Sequence, residues 1–277
     1  MPLGQQSVER AQQVQVEPVD IHSANGLYTG NRLDELWRHA KNALQRAAAC
    51  RSGPSRYKEN IMQVAILGTG TVGQHLARGF IGRGHQVILG TRDPGGQSAQ
   101  KALAAIGRGV RAATFGEAAR AGDFAVLATS WEGTEAAVRL TGAANLAGKL
   151  LIDTTNPLDF TRLAGELALG YTISGAEQIQ SWVPQAKVVK AFNIVTATHM
   201  VDPQLAGGPP TMFIAGNDAQ AKRQVLAILQ DFGWESVDIG ALDGARLLEP
   251  LAMLWIRYAR QNNHWTHAFK LLDKKSA

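Results

Sequence analysis

The chain has 277 residues, a net charge of +5, 45% hydrophobic and 18% charged residues, and one cysteine, Cys50. That size fits one large domain or two small ones around a true core, and a single cysteine excludes an intrachain disulfide. No basic cluster forms a nucleic-acid footprint; no apolar run suits a membrane span and the first residues lack a signal-peptide apolar region, so a soluble cytoplasmic protein is expected.

Residues 1–20 carry Gln, Val and Glu without a clear period and read as disordered. Leu33, Leu36, Trp37, Ala40 and Leu44 recur at helical spacing, which predicts an amphipathic helix over 31–49. Arg51-Ser52-Gly53-Pro54-Ser55 then breaks it. Met62 stands directly before an apolar run. The functional unit is therefore expected to be residues 62–277, with 1–61 a flexible extension or a mis-assigned start.

From residue 62 strand and helix patterns alternate, the signature of an α/β fold with a parallel sheet. Strand 62–67 leads to helix 72–83, and strand 86–90 to helix 96–106. Strand 110–114 precedes a helix near 116–121, and strand 124–129 precedes helix 132–141. Strand 150–153 ends at Thr154-Thr155-Asn156-Pro157, and a helix near 174–181 precedes strand 188–192. Strands near 211–215 and 235–239 flank helix 218–232. A helix over 244–260 and a further one over 264–272 close the chain, placing His264 and His267 on one helix face.

Between the first strand and the first helix lies Gly68-Thr69-Gly70-Thr71-Val72-Gly73. In that context G-x-G-x-x-G is a dinucleotide fingerprint. The first glycine allows the tight turn, the second lets a pyrophosphate approach the backbone, and the third lets helix pack on strand. Thr91-Arg92-Asp93 follows the second strand. An NAD site usually places an acid there to accept from the ribose hydroxyl. Here a hydroxyl and a guanidinium suit the 2′-phosphate of NADP, since Arg can form two parallel bonds to a phosphate. Asp93 precedes Pro94 and is read as a turn residue.

Ligands of an open parallel sheet bind beyond the carboxyl ends of its strands. Besides the glycine turn, that selects Ala128-Thr129-Ser130, Thr154-Thr155-Asn156-Pro157 and Ala191-Phe192-Asn193. Small and hydroxyl side chains there leave room for a nicotinamide and its ribose. Each also has a structural reading: Ser130 as a helix cap, Asn156-Pro157 as a turn, Phe192 as core. The candidate cofactor-binding residues are Gly68, Thr69, Gly70, Thr71, Val72, Gly73, Thr91, Arg92, Ala128, Thr129, Ser130, Asn156 and Ala191. No side-chain acid, base, nucleophile or metal set is expected, a pattern compatible with hydride transfer between two rings held face to face.

The glycine motif, Leu89-Gly90-Thr91-Arg92, Leu151-Ile152-Asp153-Thr154-Thr155-Asn156-Pro157, Lys190-Ala191-Phe192-Asn193 and Gly244-Ala245-Arg246-Leu247-Leu248-Glu249-Pro250-Leu251 together resemble the NADP oxidoreductases dependent on coenzyme F420, an 8-hydroxy-5-deazaflavin. The N-terminal part is also similar to the cytoplasmic domain of six-transmembrane ferric reductases. The resemblance covers about residues 62–277. It implies a Rossmann domain, doubly wound, over 62–193 and a small C-terminal portion over 194–277 that completes the acceptor site. It further implies NADP(H), a deazaflavin or flavin as second redox partner, direct hydride transfer, and often a homodimer. In the family a hydroxyl and an Arg after the second strand bind the 2′-phosphate, matching Thr91 and Arg92. A further basic residue often helps, and this chain offers none before Lys101. Two other functions fit the sequence: an NADP(H)-binding redox sensor without turnover, and a reductase of a small carbonyl or imine.

Overall fold

A computed structural model describes residues 61–161 and 166–273. The helix expected over 31–49 and Cys50 lie outside those residues. The described elements in chain order begin β1 (Gln63–Leu67), α1 (Thr71–Gly82), β2 (Gln86–Thr91), α2 (Gln97–Ile106), β3 (Val110–Thr114) and α3 (Phe115–Ala121). Next come β4 (Phe124–Leu127), α4 (Trp131–Thr141), α5 (Ala143–Leu146), β5 (Leu150–Asp153), and the short pair β6 (Leu158–Asp159) and β7 (Glu166–Leu167). The chain continues through α6 (Gly175–Trp182), β8 (Lys187–Lys190), β9 (Thr211–Gly216), α7 (Ala219–Asp231), β10 (Glu235–Asp238) and α8 (Ala245–Asn262).

One sheet of eight strands runs in the order β10-β9-β8-β5-β4-β1-β2-β3. From β3 to β8 all pairings are parallel, and the order reverses around β1, giving the doubly wound Rossmann arrangement. β9 departs from the all-parallel expectation. It pairs antiparallel with β8, and β10 then pairs parallel with β9. The link from β8 to β9 is loop and a single 3-10 turn, Ala197–His199, so no crossover helix brings the chain back to the same end.

β1 lies in the middle of this sheet and is buried on both faces. Val64 and Ile66 join the core under α1, α2 and α7, while Ala65 and Leu67 join the core under α3, α4 and α6. The period of two along a strand makes that division, and it explains why the segment reads as a continuous apolar run. Each fully buried Leu, Ile or Phe contributes about 1.5–3 kcal/mol.

Two further differences from the sequence expectations concern the end of α8 and three short elements in the middle of the chain. Residues 264–272 are not helical. Asn263 ends α8 in the left-handed region with φ 45°, and the chain turns back. Phe269 O then accepts from Thr211 N–H at 2.9 Å, and Trp255 Nε1 donates to His267 O at 2.9 Å. His267 stacks on Trp255 with ring centres 4.5 Å apart. The two histidines are thus anchors of a returning loop rather than neighbours on a helix face. The second difference is α5 with the β6–β7 pair, elements too short to leave a periodic signal. Among the described residues no helix is long and apolar enough to cross a membrane.

Candidate functional site

The three motif glycines are held for three different reasons. Gly68 has φ 130°, and a Cβ there would collide with the carbonyl oxygen of Ala128. A Cβ on Gly73 would lie 2.6 Å from Gly68 O, so this glycine lets α1 start against the loop. Gly70 differs: its φ is −73° and a Cβ would meet nothing within 4 Å. The protein alone does not require glycine at 70. The space matters only for something that approaches the backbone from outside.

α1 begins at this loop. Its first hydrogen bond is Gln74 N–H to Gly70 O at 3.0 Å, so the N–H groups of Thr71, Val72 and Gly73 precede the ladder. Gly70 supplies no side-chain cap, and the first turn holds no acid. The positive end of the helix is left for an anion. Gln74 Nε2 donates to Thr69 O at 2.9 Å and pins the loop.

A cavity of about 510 Å³ opens there. The structure brings Gly68, Thr69, Gly70, Thr91, Arg92, Ala128, Thr129 and Ser130 to its lining. Arg92 is exposed, and among the described residues it has no ion-pair partner. Asp93 Oδ1 accepts from Gly95 N–H at 3.1 Å, the turn role read from the sequence. Ser130 stands at the N-cap position of α4 but makes no capping bond, so its exposed hydroxyl is not committed to the helix. Thr134 Oγ1 donates to Ser130 O at 2.9 Å, so Thr129 is the donor in its 2.8 Å contact with Thr134. The residues present therefore fit a dinucleotide: an unneutralised helix start, an unpaired guanidinium, and a glycine whose side-chain space is open.

Five of the candidate residues lie elsewhere. Thr71, Val72 and Gly73 are the first turn of α1, with Val72 packed toward the core. Asn156 and Ala191 stand at the ends of β5 and β8, outside this cavity. Ala191 is fully buried in the core, and its N–H donates to Asp153 O at 3.0 Å.

At those strand ends the structure shows an arrangement that no sequence motif announced. Lys190 is completely buried, with Nζ 2.8 Å from Asp153 Oδ2, 2.7 Å from Glu249 Oε1 and 2.7 Å from Thr155 O. Asp153 Oδ1 accepts from Thr155 N–H at 2.9 Å and its hydroxyl at 2.7 Å. Glu249 accepts from Gly175 N–H at 2.9 Å and Ala176 N–H at 3.2 Å, at the positive start of α6. Burial lowers the Lys190 pKa, but Asp153 and Glu249 more than offset it and hold it above the ordinary value. In these contacts both carboxylates accept, and one ammonium serves the two. The network fastens β5, β8, α6 and α8 to one point.

Above it two amides interlock. Asn156 Nδ2 donates to Asn193 O at 2.8 Å, and Asn193 Nδ2 donates to Asn156 Oδ1 at 3.0 Å and Leu248 O at 2.9 Å. Asn193 is 5% exposed and its Oδ1 has no partner. Phe192 before it has φ 64°, a left-handed conformation that an aromatic residue rarely adopts and that costs about 1–3 kcal/mol. Such strain collects at functional positions. Phe192 is fully buried, so its core reading holds, yet its backbone turns Asn193 inward. Farther out, the Arg246 hydrogen bonds, helped by Ser174, pull the Glu177 carboxyl down to about 2.

Residues 63–157 match the family described as NADP oxidoreductase, coenzyme F420-dependent. The crystal structure of a putative F420-dependent NADP-reductase from Arthrobacter sp. FB24 is 38% identical, with a TM-score of 0.72, over 76% of this chain and all of that one. The F420-dependent NADP reductase of Methanothermobacter thermautotrophicus is 28% identical over 74% of this chain and 92% of that protein. The metalloreductase STEAP3 of Rattus norvegicus is 32% identical over 69% of this chain, a match that spans 37% of the rat protein.

Proposed function

The chain belongs to the NADP oxidoreductase, coenzyme F420-dependent family and is an NADP-dependent oxidoreductase, and we propose that it passes a hydride directly between NADP(H) and the ring of a deazaflavin, coenzyme F420, or a flavin-like acceptor. The observation that carries this reading is the cavity at the glycine turn, with Arg92 unpaired on its rim and the start of α1 unneutralised. In this reading Gly68, Gly70 and the first N–H groups of α1 hold the pyrophosphate. Thr91 and Arg92 hold the 2′-phosphate, and Ala128, Thr129 and Ser130 line the ribose. Asn156 and the backbone at Ala191 border the nicotinamide, with Asn193 Oδ1, a buried acceptor without a partner among the described residues, facing its carboxamide.

NADPH supplies the hydride when bound. The chain supplies placement. The Lys190 network and the paired amides fix the strand ends so that two flat rings meet in one geometry. Orientation of this kind lowers a barrier by about 7–11 kcal/mol. No proton must be moved by a side chain in that step. NADPH oxidation should be followed against coenzyme F420, FMN, FAD, quinones, ferric chelates and a small imine. The fastest turnover is expected with a deazaflavin or flavin ring; turnover confined to the imine or to ferric chelate would overturn the acceptor assignment.

The domain division is part of the same proposal: residues 62–193 bind the nucleotide, 194–277 complete the acceptor side, and 62–277 suffice for both. β1 starts at Gln63, is paired on both sides by β2 and β4, and is buried from Val64 to Leu67. A chain starting at Met62 is expected to melt within a few degrees of the full-length protein and to bind NADPH equally well. Insolubility or loss of binding would place residues 1–61 in the folded core.

A further inference from the structure

α2 points its start into the same cavity as α1. Gly96, Gln97 and Ser98 line that wall together with Thr91, Arg92 and Asp93. The first bond of α2 is Gln100 N–H to Gly96 O at 3.0 Å, so the N–H groups of Gln97, Ser98 and Ala99 precede the ladder. Gly96 gives no side-chain cap, and the first turn holds no acid. Three other helices are closed by their own chains: Thr114 and Glu117 form a capping box on α3, Ser174 and Glu177 one on α6, and Asp218 caps α7, while α4, α5 and α8 carry no side-chain cap.

A second observation points to a ligand at this wall. Thr91 is 9% exposed and lines the cavity, yet its hydroxyl has no hydrogen-bond partner among the described residues. Ser98 Oγ lies 2.8 Å from Thr69 Oγ1, which ties the start of α2 to the glycine loop and holds the serine at the rim. Asp93 is the one carboxylate on this wall. Its Oδ1 is engaged by Gly95 N–H and its carbonyl by Gly96 N–H at 3.2 Å. A Cβ at residue 96 would fall 2.6 Å from Asp93 Oδ2, so glycine is what allows that turn to run straight into the helix.

We propose that the first turn of α2 is the second wall of the 2′-phosphate pocket, with Ser98 a specificity-determining residue that recognises the phosphate monoester dianion through its N–H and hydroxyl. The turn takes the place of the second basic side chain that this chain lacks before Lys101. The inference rests on the NADP(H) reading of the cavity.

The test compares 2′,5′-ADP with 5′-AMP, two probes that differ only in the 2′-phosphate, by titration calorimetry on the full-length protein. Ser98→Ala is expected to weaken 2′,5′-ADP about 10-fold, the loss of one hydrogen bond to a charged group, while 5′-AMP changes little. Ser98→Asp places a carboxylate in the first turn, where it favours the helix. Its melting temperature should hold or rise while 2′,5′-ADP weakens more than in Ser98→Ala. Equal weakening of both probes would mean that Ser98 acts only through Thr69 and the glycine loop, and no change would remove it from the pocket; either overturns the inference. If the inference alone is wrong, the wild type still prefers 2′,5′-ADP and Arg92→Ala still removes that preference. A wild type without the preference would sink both the inference and the NADP(H) reading.

Discussion

Replacing Lys190 by methionine is expected to destabilise the protein by about 3–5 kcal/mol, the usual cost of removing one partner from a buried ion pair. The side chain would keep its volume but leave Asp153 and Glu249 facing each other without the ammonium that now lies 2.8 and 2.7 Å from them. None of the three has meaningful exposure, so water cannot take the place of the lost cation. Thr155 O would also lose its donor, at 2.7 Å, and with it the turn that carries Asn156. In urea the midpoint should fall with little change in slope, and the melting temperature should drop by about 6–20 °C. A loss under about 1 kcal/mol, the range of a surface pair, would show that the network is not the dry junction its burial indicates.

Arg92→Ala is expected to weaken NADPH by about 10- to 150-fold, the loss of about 1.5–3 kcal/mol from a charged hydrogen bond, and to leave NADH nearly unchanged. Arg92 packs against no described anion, so its removal should cost little stability. Its side chain stands on the rim of the cavity beside Thr91. The effect should shrink as salt is raised, since an exposed guanidinium and a phosphate are screened over about 10 Å at 0.1 M. Fluorescence titrations of both cofactors at two ionic strengths check this. Parallel losses for NADPH and NADH would mean that Arg92 stacks on the adenine and does not read the phosphate.

The parts of the fold written locally were legible in the sequence. β1 with Gly68, Gly70 and Gly73 carries its signal in consecutive residues, because turn, approach and packing each need glycine within one short loop. β2 followed by Thr91 and Arg92 is equally local. What was not legible depends on partners far apart in the chain. The direction of β9 is set by its pairing with β8, which no pattern within Thr211–Gly216 records. The end of the chain has helical spacing, but the backbone at Asn263 turns it back, and Phe269 O meets Thr211 N–H instead of a helical donor.

The Lys190 junction is the clearest case. Asp153 and Lys190 are 37 residues apart, and Gly175 and Glu249 are 74 apart. Each residue taken alone reads as an ordinary charge near a strand or helix end. Their proximity to a turn and a strained Phe192 becomes visible only when β5, β8 and α8 are assembled. Charged residues inside otherwise apolar segments, Asp153 after Leu150-Leu151-Ile152 and Lys190 after Val188-Val189, were the available signal: a charge continuing a buried strand needs a partner.

Where the hydride goes is the most direct test of transfer from ring to ring. NADPH deuterated at the transferring position of the nicotinamide should be mixed anaerobically with the protein and oxidised coenzyme F420, then with FMN, and the products analysed by mass spectrometry and single-turnover absorbance. Direct transfer predicts that the label stays on carbon 5 of the deazaflavin ring with none of it in water, and that both acceptors show a primary isotope effect on the single-turnover rate; in reduced FMN the transferred deuterium sits on nitrogen and exchanges with water, so that acceptor is read by the rate alone. Label released to solvent in the deazaflavin reaction, no isotope effect with either acceptor, or NADPH that binds but is consumed with neither ring would contradict direct transfer.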